Sequence, residues 1–281
     1  MRRTLRLLAC AVAGIVLGLT AYSGLVHLGL ARSPFAPTLR GDFGLARSDR
    51  PGLRVLFVGN SFTFENSLPR LVHDLAAGDP GGGPIYSVEY AAPGWSLRQA
   101  DKDGGLTKLL REIKWDVVVL QEKSWLLSFP EEQWRRSTYP FARDLHGKIA
   151  ASGAQTLLFM TWGYALGDRR TVPHDTYAEM QVRLAEGYSK LGAELGARVA
   201  PAGLAWAEAL RRKPALELWA DDGRHPGRSG SYLAACVFYA ALTGRDPARS
   251  RFTAGIDDRQ ARFLQQVAEN LYESEVGSGT A

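Results

Sequence analysis

From Leu53 onward the chain alternates short apolar runs with amphipathic stretches, and no other feature constrains the fold as strongly. The strand candidates are 53–58, 85–91, 116–120, 155–161 and a weaker one at 197–200. Asp116-Val117-Val118-Val119-Leu120 and Thr156-Leu157-Leu158-Phe159-Met160 are almost continuously apolar. Continuous rather than alternating runs suit parallel strands covered on both faces. Helical segments lie between them. The clearest, 176–195, carries Tyr177, Met180, Leu184, Tyr188, Leu191 and Leu195 at spacings of three and four, a single apolar stripe. Thr176 and Glu179 form a capping-box pattern at its start. Further helices are predicted near 66–77, 105–113, 139–151, 202–212, 229–243 and 257–273, with Gly244 placed to end the one at 229–243. Such alternation predicts an α/β fold, a parallel sheet of about five strands with helices on both faces. No repeat and no second domain is visible.

The 281 residues suffice for one α/β domain and a short appendage. The formal charge is +5, but residues 1–32 hold four arginines and no acid, so the remainder has 30 bases, 29 acids and a net of +1. The basic balance therefore gives no reason to invoke nucleic acid. Arg2, Arg3 and Arg6 precede a mostly apolar run from Leu7 to about Leu30. Residues 1–31 read as a signal peptide or an N-terminal membrane anchor, which makes the protein exported, either secreted or membrane-attached. Residues 32–52, rich in Arg, Pro, Gly and Ser, read as a linker, and 53–275 as the folded domain. Of the two cysteines, Cys10 lies in the leader and Cys236 in an apolar run, so the domain can form no internal disulfide.

In sheets of this kind ligands bind beyond the carboxyl ends of the strands, near the switch in strand order. The unusual residues of this chain gather there. Gly59-Asn60-Ser61-Phe62-Thr63 follows the first strand, Ala92-Pro93-Gly94-Trp95 the second, and Gln121-Glu122-Lys123-Ser124-Trp125 the third. Thr161-Trp162-Gly163-Tyr164 ends the fourth, and Asp222-Gly223-Arg224-His225-Pro226 precedes the helix at 229–243. A serine in a tight turn after a buried strand is either a helix N-cap or a nucleophile. As a nucleophile Ser61 needs a base, for which His225 is suited, and an acid such as Asp222 to orient that base. Acyl transfer also needs donors for the developing oxyanion. The N–H groups of Ser61 and Gly94 are candidates, and the Gln121 amide is a third. Trp95, Trp125, Trp162 and Tyr164 either stack on a bound sugar or acyl group or pack beneath the loops. His73, His146 and His174 suit locally bonded roles. No His-Glu-x-x-His, paired-cysteine or Gly-x-x-x-x-Gly-Lys pattern occurs, so neither metal nor cofactor is expected, and the lack of Gly-x-Ser-x-Gly argues against the α/β-hydrolase elbow.

These residues resemble the SGNH/GDSL hydrolase superfamily. Gly59-Asn60-Ser61-Phe62-Thr63 is similar to its first block, in the branch with Gly-Asn-Ser, and places Asn60 where many members have Asp. Gly94 matches the second-block glycine, and Asp222-Gly223-Arg224-His225-Pro226 the last block. The third block departs from the family pattern, with Leu120-Gln121-Glu122-Lys123-Ser124 in place of Gly-x-Asn-Asp. The resemblance implies a flavodoxin-like three-layer α/β/α fold and a metal-free Ser61–His225–Asp222 mechanism on carboxylic esters. Ser61, Gly94 and Gln121 would form the oxyanion hole, and Asn60, Trp95, Trp125 and Trp162 would contact substrate. Short acyl esters on a small molecule or carbohydrate are the expected substrates. The alternatives are acyl transfer to a sugar and a non-catalytic glycan-binding module.

Overall fold

In a computed structural model that describes residues 36–278, the apolar runs form one six-stranded sheet. Its strands are β1 (Thr38–Gly41), β2 (Leu53–Gly59), β3 (Ile85–Ala91), β4 (Val117–Leu120), β5 (Gln155–Phe159) and β6 (Arg198–Ala200). Their order is β1-β3-β2-β4-β5-β6. The five strands expected from sequence pair in parallel, and β1 is added antiparallel to β3 at the edge. That edge strand lies inside the stretch expected to be a linker. Its inward-facing pattern is weak, with Thr38 half-buried and the rest exposed, so apolar patterning could not reveal it. The leader, 1–31, lies outside the described residues. Among the described residues no helix is long and apolar enough to cross a membrane.

The longer helices are α1 (Leu68–Gly78), α2 (Gly104–Glu112), α3 (Tyr139–Ala151), α4 (Tyr177–Leu195), α5 (Ala202–Arg212), α6 (Arg228–Thr243) and α7 (Asp258–Ser278). One layer packs α1, α6, α7 and α5 against one another, and another packs α2 and the short helix Leu97–Lys102 against α3. The stripe on α4 is buried at Met180, Leu184, Tyr188 and Leu191, and Thr176 and Glu179 close a full capping box. Both α4 and α6 end at a left-handed glycine, Gly196 and Gly244. Cys236 sits inside α6 with no exposure, and burial pushes its thiol well up. The helix expected from residue 66 starts at Leu68, because Asn66 and Ser67 are both left-handed (φ 52° and 55°). Two short helices, Leu97–Lys102 and Glu131–Ser137, carry too few turns to show a period.

The chain runs from β2 out to β3, then crosses back over β2 to β4. The switch in strand order thus lies at the carboxyl end of β2. Register brings Gly59 level with Ala91 and Val58 level with Leu120, so three loops leave the sheet together.

Candidate active site

Gly59 closes β2 and Asn60 opens the short helix Ser61–Phe64. A Cβ at position 59 would collide with Thr63 Oγ1 and Gln121 Oε1, so only glycine lets this turn close against the end of β4. Asn60 is extended and buried. Its Oδ1 accepts from Phe62 N at 3.1 Å, and its Nδ2 donates to Trp95 O at 2.8 Å. Both ends of the Asn60 amide are therefore engaged within the protein. Asn60 thus ties the serine turn to the loop after β3, and it also lines the cleft beside Ser61.

Ser61 Oγ lies 2.9 Å from His225 Nε2, and His225 Nδ1 lies 2.5 Å from Asp222 Oδ2. The tautomer with hydrogen on Nδ1 satisfies both contacts: Nε2 accepts from the serine hydroxyl while Nδ1–H donates to the carboxylate. Asp222 Oδ1 also accepts from the N–H groups of Arg224 and His225, each at 2.9 Å. Gly223, at φ +66°, makes that turn possible. Burial acts to raise the Asp222 carboxyl, but the Arg224 N–H and the His225 contacts outweigh it and hold it below its ordinary value. The loop is clamped from the β5 side, where Trp162 Nε1 donates to Arg224 O at 3.0 Å and Ala165 N to Gly223 O at 2.8 Å.

An aromatic column supports the imidazole. Trp206 stacks on Trp162 with ring centroids 4.1 Å apart, Trp162 on Phe62 at 5.0 Å, and Phe62 meets the His225 ring at 5.5 Å. Trp162 has no exposure and Trp95 is 7% exposed, packed edge-on to Tyr90. Neither lines the cleft at Ser61, so the expectation that they contact substrate is corrected: both pack beneath the loops. Trp125 and Tyr164 do line the cleft, which has a volume of about 450 Å³ and opens beside Ser61, Gly94 and His225.

Ser61 N–H and Gly94 N–H donate to no acceptor among the described residues. Gly94 is exposed at φ +66°, with open space where a side chain would project. Gln121 differs from expectation. Its Oε1 accepts from Asn60 N at 2.9 Å and Thr63 Oγ1 at 3.0 Å, and its Nε2 donates to Glu122 O. The Asn60 N–H can face only an acceptor, which fixes the orientation of the amide. At 1% exposure, with both ends engaged, Gln121 is not an oxyanion donor; it braces the serine turn. The extra methylene over Asn carries its amide back under that turn.

Sequence reasoning missed Asn66, whose Nδ2 donates to Pro226 O and Ser231 Oγ, both at 2.9 Å. This joins the serine segment to the chain just after His225. No local pattern marks it, because its partners lie 160 and 165 residues away. Lys123, Arg170 and Arg224 at the cleft were missed too, since near-neutral overall charge hides a local excess. No group of three or more His, Cys, Asp or Glu side chains placed to hold a metal occurs among the described residues. His73 and His146 make local contacts, to Ile85 O and Thr156 Oγ1, each at 2.9 Å.

No family model matches the chain, and no curated protein matches it. Solved structures do. A DUF4886 family protein from Bacteroides uniformis is 20% identical over 78% of this chain and 94% of its own, with a TM-score of 0.65. A candidate SGNH hydrolase from Slackia heliotrinireducens is 28% identical over 68% of this chain and all of its own, with a TM-score of 0.57. Axe2, an acetylxylan esterase from Geobacillus stearothermophilus, is 17% identical over 69% of this chain and 95% of its own, and its TM-score of 0.50 reflects a shared fold. The chain shares its fold with these structures, and its Ser61, Gly94 and Asp222–His225 segments resemble those of SGNH hydrolases.

Proposed function

We propose that the protein cleaves carboxylic esters through an acyl-enzyme on Ser61. Ser61 Oγ attacks the carbonyl carbon while its proton passes to His225 Nε2. The tetrahedral oxyanion meets the N–H groups of Ser61 and Gly94. The alcohol leaves with the proton that His225 held. Water then attacks the acyl carbonyl, gives a proton to His225, and the acid departs as that proton returns to Ser61 Oγ. Asp222 keeps the imidazole in the required tautomer and stabilises it when charged.

The observation that carries this reading is the hydrogen-bonded series Ser61–His225–Asp222 at the mouth of an open cleft. A binding module has no use for that series. Short acyl esters, acetyl esters on carbohydrate among them, are the substrates we propose, and the cleft of about 450 Å³ has room for them. Export directed by residues 1–31 belongs to the same proposal and would set the reaction outside the cytoplasm.

Hydrolysis of p-nitrophenyl acetate and butyrate by the full chain tests it. Ser61→Ala and His225→Ala should each lower kcat by at least about 10³-fold while the fold is kept. Turnover that survives Ser61→Ala would overturn the mechanism.

A further inference from the structure

Three cationic side chains, Lys123, Arg170 and Arg224, line the cleft into which Ser61 and His225 open. They come from three separate segments: the loop after β4, the loop after β5 and the turn that carries Asp222 and His225. Several partly buried cations elsewhere are paired with a carboxylate at short range, as in Lys148–Asp101, Arg183–Asp175 and Arg245–Asp79, each at 2.7 Å, and Arg54 is held by backbone carbonyls. At the cleft no pair is that close. Lys123 and Arg224 have no carboxylate within ion-pair distance, and Arg170 has only Asp168 at 3.9 Å.

Aromatic rings hold them instead. Lys123 Nζ stands 4.7 Å from the centre of the Trp125 ring, and the Arg170 guanidinium 5.9 Å from that same ring. The Arg224 guanidinium stands 5.4 Å from the Tyr164 ring. Ring contacts orient a cation without cancelling its charge. Two like charges gathered over one indole repel each other, a cost that a shared anion would relieve. The facing acids are few. Glu65 lines the same cleft, Asp168 stands 3.9 Å from Arg170, Asp222 is engaged with His225, and Glu122 is buried behind the Lys123 backbone. Among the side chains that line the cleft itself, three cations meet one carboxylate, Glu65, while Asp168 and Asp222 stand behind Arg170 and His225, in a domain whose overall balance is close to neutral.

We propose that the preferred substrate is an anionic ester, one that carries a carboxylate or phosphate group near the scissile bond for Lys123, Arg170 and Arg224 to hold. Guanidinium groups suit either anion, and a flexible ammonium adapts to both. This rests on the hydrolase reading for the position of the reacting carbonyl, while the anion site itself stands on charge and geometry.

Binding to the full-length Ser61→Ala variant separates the two claims, because it needs no turnover. The probes are mono-4-nitrophenyl succinate and the neutral 4-nitrophenyl butyrate, compared by calorimetry. The succinate ester should bind about tenfold more tightly or better at low salt. That advantage should shrink in about 0.5 M salt, where screening is strong. It should be lost when Lys123→Gln and Arg170→Gln are added; both side chains reach solvent, so the fold should hold. Equal affinity for the two esters, or a preference that survives the double change, would overturn the anion site. Charge preference in Ser61→Ala beside a native chain that hydrolyses neither ester would leave the anion site standing and sink the hydrolytic reading. Hydrolysis of both esters with no preference in binding would do the reverse.

Discussion

Glu122 holds a fully buried carboxyl at the end of β4, where its Oε1 accepts from Leu97 N at 3.1 Å and Lys123 N at 2.6 Å. It thereby joins the loop after β3, which carries Gly94, to the loop that carries Lys123 and Trp125. Burial pushes this carboxyl from about 4.5 up to about 7, against the pull of the Lys123 N–H. The folded state therefore binds a proton that the unfolded state releases, and stability falls as pH rises from about 4.5 to about 7. At roughly 1.4 kcal/mol per pH unit, the loss is on the order of 3 kcal/mol. Glu122→Gln should remove that component. Urea unfolding at pH 5 and pH 8 measures it: the native chain should lose more stability than the variant across that interval. An equal loss in both would show that Glu122 is not the source.

Among the elements, the decisive joint is between the short helix Ser61–Phe64 and the turn Asp222–His225, brought together by α1 packing on α6. Asn66 spans that joint through Pro226 O and Ser231 Oγ. Asn66→Gly accepts the left-handed backbone at φ 52° and removes the side-chain tie, with a small further loss of stability from the freer unfolded chain. We expect kcat to fall about tenfold, KM to stay near its native value and the melting temperature to move by a few degrees. A native kcat in Asn66→Gly would show that the tie positions nothing. Much of this architecture was legible beforehand. The parallel strands follow from continuous apolar runs, and the ends of α4 and α6 from a capping box and terminal glycines. Ser61 and Gly94 could be singled out because they follow strands, and Asp222 and His225 because an acid and a base three residues apart match the last block of the resemblance. The edge strand β1 was hidden because it is mostly exposed and is held by backbone pairing with β3. Gln121 and Trp162 were misplaced for another reason: sequence places a residue at a strand end but not the direction of its side chain. Gln121 turns back under Asn60, and Trp162 turns inward onto Trp206.

At the scale of the whole molecule, the sheet order concentrates chemistry at one edge. The crossover from β3 to β4 passes over β2, so the loops after these strands converge where Ser61 starts its helix. The aromatic column Trp206–Trp162–Phe62 carries support from α5 to the His225 ring. The measurement that tests the role of Ser61 as nucleophile most directly is the location of a covalent adduct. The full chain would be treated with a fluorophosphonate, digested, and its peptides weighed. A single adduct should form on Ser61, and His225→Ala should slow its formation by orders of magnitude because no base is left to take the proton. An adduct on another residue, or labelling of Ser61 at the same rate without His225, would contradict the account.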